Sequence, residues 1–143
     1  MCSPISAGQR FASKTCRNDP REGRYFTWAR NRLAVWGLET WDFRPDVLFL
    51  TEGVFDACKL HNLGLPAVAV LANDPKSLRP WLGSLARRTV AVCDDDAAGA
   101  KLGRLCDRAV TTEGGKDLGD MTQDQVREFV SKLFPNLLRS DCE

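Results

Sequence analysis

The chain has 143 residues, 43% apolar and 27% charged, which is the size and make-up of one ordinary globular domain and excludes a low-complexity or disordered polypeptide. A net charge of +1 gives no overall attraction to nucleic acid or to a membrane surface. No stretch approaches the roughly 20 apolar residues of a membrane span.

The N-terminus MCSPISAGQR lacks a charged segment followed by an apolar one, so no signal peptide is expected. The cysteines are Cys2, Cys16, Cys58, Cys93, Cys106 and Cys142, and none forms a C-x-x-C pair, which argues against a zinc ribbon. Cys58, Cys93 and Cys106 lie in apolar surroundings and read as reduced core residues, so a cytoplasmic setting is expected.

From Arg10 to Arg44 the chain is rich in cations, with Arg10, Lys14, Arg17, Arg21, Arg24, Arg30, Arg32 and Arg44 against Asp19, Glu22, Glu39 and Asp42, and residues 1–46 are read together as one segment. Short apolar stretches at Phe11 to Lys14, Tyr25 to Trp28 and Leu33 to Trp36 are strands or turns, with Pro20 and Gly23 marking loops between them. This stretch is expected to be a small, basic, partly β element packed on the remainder of the chain, too short for a domain of its own.

From residue 47 to 135 strands and helices alternate. Val47 to Thr51 (VLFLT) reads as a buried strand and Val54 to Leu63 as a helix stopped by Gly64. Ala67 to Ala72 is a second strand. Leu78, Trp81, Leu82 and Leu85 have helical spacing, provided Pro80 lies in the first turn. Thr89 to Cys93 is a third strand, Ala97 to Cys106 a third helix and Arg108 to Thr112 a short fourth strand. Thr122 and Gln125 form a capping box for a last helix with Val126, Phe129, Val130, Leu133 and Phe134 on one face, ended by Pro135. Residues 136–143 read as a tail. Such alternation predicts an α/β fold, a parallel sheet covered by helices on both faces.

The carboxylates fall just after strands. Glu52 follows VLFLT, Asp94, Asp95 and Asp96 follow TVAVC, and Asp117 and Asp120 lie in the loop TTEGGKDLGD after the fourth strand. Ligands of open parallel sheets bind beyond the carboxyl ends of the strands. If these three strands are neighbours, the acidic side chains converge on one rim. Asp94 and Asp96, two apart, can share a cation while Asp95 points elsewhere, and hard oxygen ligands suit Mg²⁺ or Mn²⁺. Gly99 suits a close approach at a helix start, and Gly114 and Gly115 would let the last loop bend back to the rim. Any one cluster alone reads rather as solvated surface, and Asp96 as the cap of the helix at Ala97, but three clusters at three strand ends of one sheet favour a site. Asp56 either supports Glu52 or pairs with a basic residue.

The stretches "LTEGVFDA" and "CDDDAAGAKLG" resemble the two acidic motifs of the TOPRIM domain, shared by topoisomerases, bacterial-type primases and some nucleases. The resemblance spans about residues 47 to 134, with the loop "GGKDLGD" as its third motif. It implies a TOPRIM-like (Rossmann-like) parallel sheet flanked by helices. "EGVFDA" is closest to the catalytic core of bacterial and phage-type DNA primases, and "REGRYFTWARNRLAVWGLETW" resembles the segment preceding TOPRIM there. By this resemblance Glu52, Asp94 and Asp96 would be catalytic, and Glu52, Asp94, Asp96, Asp117 and Asp120 would hold Mg²⁺ or Mn²⁺. Gly53, Asp56 and Gly99 would support them. Arg17, Arg24 and Lys116 would face nucleotide or template phosphates.

The implied activity is metal-dependent RNA-primer synthesis in DNA replication, on a single-stranded DNA template with nucleoside triphosphates, in a host cytoplasm if the chain is phage-encoded. Glu52 would be a metal ligand or the acceptor of the primer hydroxyl's proton. Primases also carry a zinc module and a larger N-terminal part that the 46 residues here do not accommodate. The sole tyrosine, Tyr25, is in no recognisable nucleophile context, which argues against a self-sufficient topoisomerase. Two alternatives therefore stand beside the primase reading. One is a TOPRIM nuclease. The other is a non-catalytic or split-primase subunit that binds a helicase, a polymerase or a second primase subunit. Trp28, Trp36 and Trp41 would serve such contacts or stack on bases, or pack the core. His61, with no companion histidine, is not expected to be a ligand.

Overall fold

Runs such as VLFLT and TVAVC are apolar at odd and even positions alike, so a strand made of them must be covered on both faces. The computed structural model describes residues 12–16, 25–29, 34–43, 46–71 and 75–138, the first two segments by their backbone alone. It buries these runs in a five-stranded sheet. The strands are β3 (Val35–Trp36), β4 (Val47–Thr51), β5 (Ala67–Val70), β6 (Arg88–Cys93) and β7 (Arg108–Thr111), in the spatial order β3-β5-β4-β6-β7. All neighbours are parallel except β3, which runs antiparallel to β5 at the edge. The sheet thus recruits residues from before position 47. Further upstream, β1 (Ala12–Cys16) and β2 (Tyr25–Ala29) pair as an antiparallel ribbon of their own.

Helices α1 (Val54–His61), α2 (Arg79–Gly83), α3 (Ala97–Gly103) and α4 (Gln123–Leu133) complete the fold. Alternation along β4 and β6 sorts the core into two layers. Val47, Phe49, Val90 and Val92 meet Ala57 and Leu60 of α1 and Val126 and Val130 of α4. Leu48, Leu50, Ala91 and Cys93 meet Leu82 of α2 and Leu102 of α3 on the opposite face. Each fully buried side chain of this size contributes about 1.5–3 kcal/mol.

Most predicted elements are present with shorter ends. The first helix stops at His61, before the turn in which Gly64 takes φ 72°. The third stops at Gly103 rather than Cys106, and Gly103 lies close on β7, where an added Cβ would stand 2.9 Å from the Cβ of Ala109. A 3-10 turn, Pro75–Leu78, leads into α2 and leaves Pro80 in the first turn, where a missing N–H costs nothing. Thr122 and Gln125 do form a capping box, each side chain bonding the other's backbone N–H. Beyond α4, Phe134 meets Phe49 edge-on at 5.7 Å, and Leu137 and Leu138 pack on the same layer, so residues 134–138 belong to the fold.

Trp36 and Trp41 are half-buried, one against each layer. The His61 Nε2 hydrogen-bonds the Ala67 carbonyl at 2.8 Å and its ring stacks on Trp36. Cys93 and Cys106 are free thiols. Burial pushes Cys93 up to about 11 and Cys106 up to about 12, which makes both unreactive. Among the described residues no helix is long and apolar enough to cross a membrane. Arg17, Arg24 and the side chain of Trp28 lie outside the described residues.

Candidate acidic site at the sheet switch point

The chain leaves β4 through α1 and pairs next on one side, as β5. It leaves β6 through α3 and pairs next on the other, as β7. Right-handed crossovers in opposite directions put α1 and α3 on opposite faces. A crevice therefore opens beyond the carboxyl ends of the neighbouring strands β4 and β6, the topological switch point where open α/β sheets bind ligands. Thr51 is level with Val92 across this pair. Glu52 and Asp94, one and two residues further on, emerge side by side.

Glu52 is held by the turn beneath it. The Thr51 hydroxyl, fully buried, donates to the Gly53 carbonyl at 2.9 Å. The Glu52 Oε1 atom is buried with no hydrogen-bond partner. It lies against Gly99, where a Cβ would stand 3.0 Å from it, 2.9 Å from the Cβ of Cys93, and overlap the Asp94 carbonyl oxygen. Gly99 is needed here for space, since its φ is not positive. Burial, and then the charges of Asp94, Asp96 and Asp56, push the Glu52 carboxyl up to about 7, against the opposing pull of the Asp94 backbone N–H.

Asp94 is pushed up to about 6, by burial first, then by the charges of Asp117 and Asp56, a hydrogen bond with the Asp117 side chain and the charge of Asp96. A hydrogen bond between two carboxyl groups requires a proton between them. The same gap suits a cation, because only a positive charge removes the repulsion. Asp96 does cap α3, its Oδ1 accepting the Gly99 N–H at 2.7 Å, and its charge also bears on Glu52 and Asp94. Asp95 is exposed.

Asp117 reaches the rim because its loop is fastened to α1. Gly114 and Gly115, at φ 75° and 66°, reverse the chain after β7, and the Thr112 hydroxyl donates to the Lys116 carbonyl across the bend. Asp56 Oδ1 then accepts the Gly119 N–H at 2.7 Å, Lys59 Nζ donates to the Met121 carbonyl at 2.7 Å, and Gln123 Nε2 donates to the Lys59 carbonyl at 2.9 Å. The other oxygen of Asp56 lies over Gly53 and would overlap any Cβ added there. The structure thus gives Asp56 a supporting position that the sequence left open. Glu52, Asp56, Asp94, Asp96 and Asp117 come together. Asp120 stands exposed at the end of the turn Leu118–Asp120.

The donor set is all carboxylate oxygen, which fits Mg²⁺ or Mn²⁺ and not a soft metal. Among the described residues no group of three or more His, Cys, Asp or Glu side chains is placed to hold a metal ion together. Mg²⁺ characteristically keeps several waters and is held by one or two carboxylates plus substrate phosphates, so an open arrangement with one orphaned carboxylate oxygen suits it. Lys116 lines a different space, a cavity of about 300 Å³ shared with Thr111, Met121, Gln125, Phe129 and Leu133 beside α4. Compared with protein-family models, curated proteins and solved structures, the chain matches none.

Proposed function

We propose that the chain is a primase-like TOPRIM protein that carries out metal-dependent synthesis of RNA primers. One observation carries this reading: the buried, unpartnered Glu52 oxygen faces Asp94, with Asp96, Asp56 and Asp117 around it, at the switch point of a mostly parallel sheet. Four of these five carboxylates belong to the two motifs that resemble TOPRIM, and the fifth to the loop expected to complete it.

Glu52, Asp94 and Asp117 would hold the cation, and Asp96 would add its charge while capping α3. When bound, the ion would supply charge neutralisation at the triphosphate and at the attacking hydroxyl. If Glu52 were not itself a ligand of that ion, it would instead accept the proton of the primer 3′-hydroxyl. Asp56 keeps the Asp117 loop in place. Arg17 and Arg24 would bind phosphates of template or nucleotide, as planar guanidinium groups do well. Single-stranded DNA and nucleoside triphosphates would be the partners in the cytoplasm, with a helicase, a polymerase or a second primase subunit completing the machinery.

The test is primer synthesis by the purified chain on single-stranded DNA with ribonucleotides and Mg²⁺. Labelled product should form, and Asp94→Asn should reduce it on the order of 10²-fold or more. Synthesis without divalent cation, or at full rate in Asp94→Asn, refutes the mechanism. Strand degradation in the absence of nucleotides, with no synthesis, replaces it by the nuclease reading. Activity that appears only with a co-purifying replication protein assigns the chain to a split primase.

A further inference from the structure

One cation of the chain is held in an unusual way. Arg87 Nη1 is buried with no hydrogen-bond partner, the only such side-chain atom besides the Glu52 oxygen among the described residues. Arg87 precedes β6, whose first residue, Arg88, is level with Val47 at the start of β4, so it stands at the amino ends of the strands. The acidic crevice is at the other end, roughly 20 Å away along the six residues of extended chain from Arg88 to Asp94. The Arg87 guanidinium lies over the Trp41 ring, 4.9 Å from its centroid, and Trp81 lies 6.2 Å from Trp41, tilted by 41°. Both indoles are half-buried and pack on the layer of Leu82 and Leu102. They strip water from one side of a group that is always charged. The attraction of the indole for the cation offsets part of that cost. Among the described residues no carboxylate pairs with Arg87. Its Nε and Nη2 atoms, equally without a hydrogen bond, keep contact with solvent, and the residue as a whole is half-buried.

We infer that Arg87, seated on Trp41, is the binding point for a phosphate group, which approaches from the solvent side and accepts hydrogen bonds from Nε and Nη2. The inference needs neither a metal ion nor the function proposed for the acidic site. Buried charges are ordinarily paired, and this one lacks its counter-ion. A cation half stripped of water attracts an anion more strongly than a hydrated one, because the indole wall lowers the local dielectric. The Nε–Nη2 edge offers two parallel N–H donors, which match two oxygens of a phosphate. Stacking on Trp41 fixes the plane of that fork, so little side-chain freedom is lost on binding. A phosphate monoester brings about −1.5 to −2 charges at pH 7 against the single charge of a carboxylate, and compensates a lone cation better.

The test is calorimetric titration of the full chain with inorganic phosphate, at constant ionic strength and in EDTA. Binding should be saturable, and acetate should bind more weakly. Arg87→Gln should weaken phosphate binding on the order of 10-fold or more, the loss of a charge-assisted hydrogen bond. Arg87→Lys keeps the charge without the fork and should weaken it less. Arg88→Gln removes the same charge from the exposed neighbouring side chain and should leave the affinity unchanged. A nucleoside monophosphate and single-stranded DNA without terminal phosphates, each used to displace inorganic phosphate, distinguish the sources. Displacement by the monophosphate alone marks a monoester, by both a backbone phosphate, and by neither the free ion. Phosphate binding that is absent from the wild-type chain, kept in Arg87→Gln, or weakened equally in Arg88→Gln overturns the inference. Acetate binding as tightly as phosphate also overturns it, in favour of a carboxylate site.

Discussion

Replacing Glu52 by glutamine keeps the shape of the side chain and removes its charge, and in the metal-free protein it should be stabilising at pH 8. In the folded chain Glu52 holds its proton up to about pH 7, whereas the unfolded chain releases it near the ordinary glutamate value of 4.5. The folded carboxyl being raised, its contribution to stability is complete below the unfolded value and is lost as pH rises to and through 7. A displacement of that size corresponds at most to about 3 kcal/mol. Glu52 is only half-buried, and solvent screening brings the expected gain for Glu52→Gln to about 1–2 kcal/mol.

The amide introduced by this substitution would also offer donors to the neighbouring Asp94 and Asp96, in the same direction. Urea unfolding at pH 5 and pH 8 in EDTA measures the difference, which should be small at pH 5 and open with rising pH. Millimolar Mg²⁺ should then stabilise the wild-type chain and leave Glu52→Gln nearly unaffected, because the ion binds only the folded state of the protein that has its ligand. A variant less stable than wild type at pH 8 in EDTA, or a gap that does not change with pH, would show that Glu52 is not held among like charges.

Two further substitutions probe the walls of the site. Gly99→Ala gains helix propensity but sets a methyl against the Asp94 carbonyl and the Cβ of Cys93, and it should lower stability by about 1–3 kcal/mol in urea unfolding. Unchanged or increased stability would mean that α3 is free to move away from the end of β6. Asp56→Ala removes the acceptor of the Gly119 N–H, at a cost of about 1–3 kcal/mol, and releases the loop that carries Asp117. Its Mn²⁺ affinity, followed by calorimetry, should fall more than that of Asp120→Ala, and the reverse order would give the last ligand to Asp120.

A site assembled from mutually repelling carboxylates lowers the stability of the empty fold, and the two packed layers around the sheet offset that cost. The repulsion is held in place by tight steric contacts. Glycine at 53 and 99 lets carboxylate and carbonyl oxygens occupy the volume of missing side chains. This is the physical reason for an acidic residue followed by glycine after β4, and for an aspartate run followed by small residues after β6.

By itself, the sequence determined which segments are strands and helices, because apolar period and chain punctuation are local properties. VLFLT, TVAVC, the capping box at Thr122 and the end of the last helix before Pro135 were all legible in this way. Helix ends were less so, as at α3, which stops at Gly103 and not at Cys106. Strand order was decided only in three dimensions. That β4 lies between β5 and β6, and so places Glu52 beside Asp94, depends on which edges pair after collapse, and no local signal encodes it. The same holds for β3, whose two residues join the sheet antiparallel to β5 from outside the alternating region. Asp56 was ambiguous in the sequence because its partner, the Gly119 N–H, lies 63 residues away.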